Sequence, residues 1–155
     1  MAANAQAMTT SFKVDLFNAV HAFNATGIPA HTAATADVFK AALYVTGSSI
    51  GAATTAYSAT GEVSGTNYAA GGVTVTFGTA PAASGTAAIL TPSASIVYTT
   101  VTLTTAFDCA LIYNNTNAGK NSVSTHTFGA QTITAGTLTL TMPAGGLGTS
   151  LMQIT

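Results

Sequence analysis

The chain has 155 residues, 48% of them hydrophobic and only 5% charged, with 3 Lys+Arg against 4 Asp+Glu and a formal net charge of -1. This hydrophobic content excludes a disordered chain, the length suits one domain with a sizeable core, and the missing basic cluster leaves no electrostatic footprint for nucleic acid. No apolar run approaches the ~18 residues a membrane helix needs, and charge at about a fifth of the usual share leaves a surface of Thr, Ser, Ala, Asn and Gly.

Residues 1–9 are small and polar without a period, and read as a flexible N-terminal arm. They lack the basic and apolar regions of a secretory signal. From Thr10 the pattern changes: Phe12, Leu16, Val20 and Phe23 recur at four- and three-residue steps with Phe17 beside them, which predicts a helix over 10–24. Thr10 or Ser11 would cap it, and Asn24, Gly27 and Pro29 would stop it.

Asp37 to Thr46 reads as a strand apolar on both faces and therefore central in a sheet. Gly47 to Ala59 reads as a loop and Glu62 to Tyr68 as a short strand. Gly71-Gly72 then turns the chain into Val73, Val75 and Phe77, which alternate with Thr74 and Thr76 as a half-buried strand does. Ala87 to Leu90, Ile96 to Thr104 and Phe107 to Tyr113 follow, the last with Phe107, Cys109, Leu111 and Tyr113 expected on one face. The cluster Asn114 to Gly119 is a turn whose residues tolerate left-handed backbone. Ser122 to Phe128 and Gln131 to Met142 are further strands. The apolar parity of the second switches across Ala135-Gly136, so that dipeptide is a hairpin turn or a bulge. Pro143 to Gly148 is a loop, and Leu151 to Ile154 closes the chain as a strand.

Strands at this spacing, with 30 Thr whose β-branching suits them, predict a mainly β chain. The expected architecture is an antiparallel β-sandwich or jelly-roll-like domain over 10–155 with one N-terminal helix. Between Glu62 and Asp108 lie 45 residues without a charge. A protein that lives alone keeps both signs of charge on its surface to resist association, so this chain reads as one that works assembled on something.

Sites of chemistry are scarce. Gly47-Ser48-Ser49-Ile50-Gly51 matches G-x-S-x-G, with Asp108 and His126 following in the order of a hydrolase triad. The nucleophile elbow needs a helix next, however, and Ala52 to Thr60 has no helical stripe, so the segment reads as a loop. His21, His31 and His126 never fall at metal-ligand spacing, and His21 reads as a boundary residue of the helix. Asp15, Asp37, Glu62 and Asp108 lie on separate elements. Cys109 is alone and reads as a buried small hydrophobe. Asn24-Ala25-Thr26 and Asn114-Asn115-Thr116 match a glycosylation acceptor by accident, and Gly119-Lys120 is a turn rather than a phosphate loop. No catalytic, cofactor or metal residue is assigned, and no enzyme activity is expected.

Several segments together carry a resemblance: Thr10-Ser11-Phe12-Lys13 with Leu16-Phe17-Asn18 and Val20-His21, then Phe39-Lys40-Ala41-Ala42-Leu43-Tyr44. Thr55 to Tyr68 (TAYSATGEVSGTNY), Ala110-Leu111-Ile112-Tyr113-Asn114, Phe128-Gly129 and Thr134-Ala135-Gly136-Thr137 continue it. In this order they resemble a family of small virion structural proteins of tailed bacteriophages, over most of the chain from residue 9 onward. The resemblance implies a virion location after assembly in the host cytoplasm. It also implies the major capsid protein or other virion proteins as partners, with a homo-oligomer expected. A capsid decoration or cement protein that stabilises the shell fits first, and a tail or head-fibre adaptor or receptor-binding component second. From another class comes a carbohydrate-binding or hydrolytic β-domain, disfavoured because the chain has no Trp and few carboxylates. A pilin-like subunit is disfavoured by the missing signal and Cys pair.

Overall fold

The computed structural model describes residues 4–17, 20, 21, 23, 36–78 and 81–155. Among these, the elements in chain order are β1 (Ala7–Met8), α1 (Thr10–Phe17), β2 (Phe39–Val45), β3 (Val73–Val75) and β4 (Ala82–Ser84), followed by β5 (Ala87–Leu90), β6 (Ile96–Asn114), β7 (Ser122–Leu140) and β8 (Met152–Ile154). They form a five-stranded sheet in the order β1-β7-β6-β2-β3 and a three-stranded sheet in the order β4-β5-β8. Every pairing is antiparallel. The fold is mainly β and sandwich-like, as the alternation predicts. Leu90 and Met152 of the small sheet join Phe39, Leu43, Ile96, Tyr98, Leu103 and Leu138 of the large one in a shared buried cluster.

The large sheet is apolar on its other face as well. There Ala42, Tyr44, Cys109, Leu111 and Tyr113 pack under the segment carrying Ile50 and Tyr57. Strand β2, flanked by β3 and β6, is buried on both faces, which explains why its sequence hardly alternates.

The strands predicted as Ile96–Thr104 and Phe107–Tyr113 are one strand, and so are Ser122–Phe128 and Gln131–Met142, apart from its last two residues. The joins are register breaks: Thr104, Thr105 and Ala106 oppose Thr132 alone, and Asp108 opposes Phe128, Gly129 and Ala130. Two further bulges lie within the predicted strands. Tyr98 faces Leu138 and Val101 faces Gly136, so Thr99 and Thr100 oppose Thr137 alone; Leu103 then faces Ile133, so Thr102 opposes both Thr134 and Ala135. Thr100 and Ala135 adopt positive φ, 52° and 48°. Neighbouring hydroxyls satisfy the displaced amides: Ala135 N–H donates to Thr102 Oγ1 at 2.9 Å and Thr100 N–H to Thr137 Oγ1 at 3.4 Å. Ala135-Gly136 is thus a bulge, one of the two expected alternatives.

At Asp108 both β2 and β7 lose register with β6. It turns Phe107 onto the face of Ala110 and Ile112, while Cys109, Leu111 and Tyr113 occupy the opposite face. The expectation of one face for all four odd-numbered residues is corrected accordingly, because an inserted residue inverts the alternation.

Three further expectations change. Residues 4–9, expected as part of a flexible arm, are docked: Ala7 and Met8 pair with Thr125 and Ser124, Ala5 N–H bonds Ile50 O at 2.7 Å, and Thr9 is fully buried. Helix α1 ends at Phe17 rather than continuing to 24, and Val20, His21 and Phe23 lie outside it. Thr9 caps it in place of Thr10 or Ser11, its Oγ1 accepting from Phe12 N–H at 3.3 Å. Glu62 to Tyr68 forms only isolated bridges, Glu62 to Tyr44 and Thr66 to Thr102, because it crosses the sheet edge instead of running along it.

Candidate interaction surface

The few acids point inward, each to neutral donors. Glu62 accepts from Tyr57 Oη at 2.6 Å, Tyr68 Oη at 2.8 Å and Gly71 N–H at 2.7 Å. Asp108 accepts from Asn4 Nδ2 at 2.5 Å, and the same Asn4 receives Ile50 N–H at 2.9 Å. Asp15 accepts from Asn121 Nδ2 at 2.8 Å, and Asp37 from Asn114 Nδ2 at 2.6 Å. A buried carboxylate without such donors would carry a large desolvation cost, so these acids act as anchors for loops.

All five tyrosine hydroxyls do similar work. Tyr44 donates to Ser58 O at 2.6 Å, Tyr98 to Ala41 O at 2.8 Å and Tyr113 to Gly71 O at 2.9 Å, while Tyr57 and Tyr68 hold Glu62. Burial pushes all five upward in pKa, and they stay protonated donors.

His21, read as a helix-boundary residue, sits in a polar cluster. Its Nε2 lies 3.4 Å from Asp15 Oδ2, long for a hydrogen bond, and its Nδ1 lies 3.2 Å from Asn114 Nδ2. Burial lowers its pKa and the adjacent Asp15 opposes that shift. Sequence spacing gives no hint of this cluster, since its members come from α1, the chain after it, the chain before β2 and the last residue of β6. Asn114, the second glycosylation match, is fully buried inside it, and Asn24 lies outside the described residues, as does His31.

The string resembling a nucleophile elbow is dispersed. Gly47 and Ser49 lie at positive φ in a turn after β2, no helix follows, Asp108 is held by Asn4, and His126 Nε2 meets Ser124 Oγ at 2.9 Å. Burial depresses His126 to about 4, so its imidazole is neutral at pH 7. Ser124 is 1% exposed, while His126 is half-buried and lines the cleft beside β7. Cys109 is fully buried and its thiol is pushed up to about 12 by burial. No group of three or more possible metal ligands occurs among the described residues.

One exposed region, the far half of the β6–β7 hairpin, is free of charge. From Ile96 to Phe107 and from His126 to Leu140 there is no Asp, Glu, Lys or Arg. On its outward face Val97 is 42% exposed, and Thr99, Thr104, Thr132, Thr134, Thr137 and Thr139 are exposed around it. On the inward face Leu138 is buried and Leu140 half-buried beside a cleft of about 440 Å³ that also takes in Phe128, Gln131 and Met142. Such a surface offers methyl contact and neutral hydrogen bonds, with almost nothing for a charged ligand.

Comparison with known protein families, characterised proteins and solved structures finds no match for the chain. No helix among the described residues is long and apolar enough to cross a membrane.

Proposed function

We propose that this chain is a structural protein of a tailed-bacteriophage virion, most directly a decoration or cement protein that binds the assembled major capsid shell and stabilises it. The observation that carries the reading is the charge-free threonine face of the β6–β7 hairpin, on a chain whose acids all face inward. Interfaces are depleted of charge at their centres, and a face with no charge to desolvate loses little when covered. The segments that resemble small virion proteins support the same reading. Binding to the shell adds to the stability of whatever it binds by mass action, which is the physical content of a cement role. No reaction is proposed for the chain.

Copy number in purified particles tests this. A shell component is present in hundreds of copies by shell symmetry, whereas a tail or head-fibre component is present in about six to a few tens. A count in the lower range moves the protein to the tail or fibre, and absence from particles rejects the virion reading.

A further inference from the structure

We propose that two copies of this chain associate through the outer edge of β7, pairing antiparallel about a two-fold axis so that the two large sheets become one. This concerns the protein alone and does not depend on its placement in a virion.

The first observation is an open edge. Strand β7 runs for 19 residues, yet β1 covers it only at Ser124 and Thr125, with Thr9 N–H reaching Val123 O. Beyond Thr125, no backbone of the described residues pairs with its outer side. Unpaired N–H and C=O groups along a strand are a template for another strand, and natural sheets blunt such edges with Lys, Pro or an inward-pointing charge. Residues 127–141 contain none of these; the bulge at Ala135-Gly136, another such device, leaves the regular stretch after it open, and the first proline is Pro143.

The second observation is self-complementarity. Thr137-Leu138-Thr139-Leu140-Thr141-Met142 alternates strictly, with Thr137 and Thr139 exposed on the outer face and Leu138 and Leu140 turned to the inner one. A two-fold axis perpendicular to the sheet keeps both copies' inner faces on the same side. Residues directly opposite each other in an antiparallel pair share a face, so leucine then meets leucine and threonine meets threonine. With Thr139 on the axis, Leu138 faces the second copy's Leu140, and Thr137 faces its Thr141. No register of this kind brings like charges together, because the segment has none. An uncharged β-branched and apolar stretch of six residues is a sequence type that pairs with itself.

The third observation selects a second copy over a foreign strand. The inner face beside this edge is an open cleft that carries Phe128, Leu138, Leu140 and Met142 among the polar neighbours His126, Gln131 and Ser150. The same two-fold brings a second set of these side chains to its mouth. Backbone pairing over the five residues 137–141 spans only about 17 Å, and the joined clefts add apolar area that pairing alone lacks.

The test is the mass of the purified protein in solution, by light scattering and sedimentation, from about 1 to 100 μM, the upper end being a hundredfold above a micromolar Kd. The expected result is a dimer. Thr139→Lys places two cations near the axis and should raise Kd about tenfold or more at low salt, with partial recovery at high salt. Thr139→Pro, which removes one backbone donor at the centre of the segment, should weaken the dimer at every salt concentration, with unfolding followed alongside to show that the β6–β7 pairing survives. Because Cys109 is fully buried, introduced cysteines report without interference. A cysteine at Thr139 alone, or cysteines at Thr137 and Thr141 together, should cross-link two chains, whereas one at the exposed Thr105 of β6 should not. A monomer throughout the range overturns the proposal. So does an oligomer indifferent to both Thr139 variants, or one that cross-links through Thr105 and not through β7.

Discussion

Replacing Gly72 and Gly47 by alanine separates two costs that glycine otherwise conceals. Both have positive φ, +75° and +84°, a region where an L-residue costs about 1–2 kcal/mol. Against that, alanine stiffens the unfolded chain and returns about 0.4–1 kcal/mol. At Gly47 nothing lies within 4 Å of the added Cβ, so the account ends there and the loss should be about 1 kcal/mol or less. At Gly72 the Cβ would lie 1.7 Å from Ala41 O and 2.8 Å from Ala42 Cα, so the backbone of β2 and the turn must part by more than 1 Å. Ala41 cannot move freely, since it pairs with Val73 and Ile112, and its carbonyl receives the Tyr98 hydroxyl at 2.8 Å. Overpacking of this kind costs about 1–3 kcal/mol, so Gly72→Ala should lose about 2–4 kcal/mol in all. Denaturant unfolding followed by tyrosine fluorescence suits a chain without Trp, and the difference between the two variants is the quantity of interest. Equal losses would refute the packing of the Gly71-Gly72 turn on β2.

Glu62→Gln keeps one acceptor oxygen but turns an amide toward donors that now face it, and should cost about 2 kcal/mol because bonds to a charged acceptor are the stronger kind; thermal melting at pH 7 checks this, and an unchanged melting temperature would deny Glu62 its anchoring role. Stability should also fall in acid. His126 sits near 4 in the folded chain against 6.5 unfolded, and burial lowers His21 as well, so the unfolded state binds more protons. Their contribution is fully present above pH 6.5 and drains as pH falls toward 4, by at most about 3 kcal/mol for His126. Melting temperatures from pH 7.5 to 4.5 should show this, with a shallower slope in His126→Asn.

The sequence makes the two-residue alternation legible, and with it β3, β5 and the central place of β2, because burial on one face or both leaves a local trace. It also shows a break at Ala135-Gly136. What it hides is whether a break ends a strand or bulges it, since that depends on which residues of the partner strand lie opposite. Thr102 and Thr137 complete the two bulges by bonding displaced amides across the hairpin, and no local pattern marks those threonines among 30. Asp108 looks like one more outward residue of an alternating strand, yet the capture of its carboxylate by Asn4, over a hundred residues away, accompanies the inversion of faces at Phe107 and Cys109. The helical spacing overshoots the helix for a related reason. Val20 and Phe23 continue the helical spacing, but Val20 N–H bonds Asp15 O and ends the regular turns, and the buried Asp15 is held from the β6–β7 turn by Asn121. The open edge of β7 is invisible in sequence because strand order is a property of topology, although the charge-free run through it was plain.

The virion reading is met most directly by adding the purified protein to particles that lack it. Occupancy is measured from low to high ionic strength, the bound copies are located by imaging, and the temperature at which the particles release DNA is recorded. A charge-free docking face predicts saturable binding at hundreds of sites over the shell, little salt dependence because screening acts on charges, and a higher release temperature when occupied. Binding confined to the tail vertex, binding abolished by moderate salt, or equal heat resistance with and without the protein would contradict it.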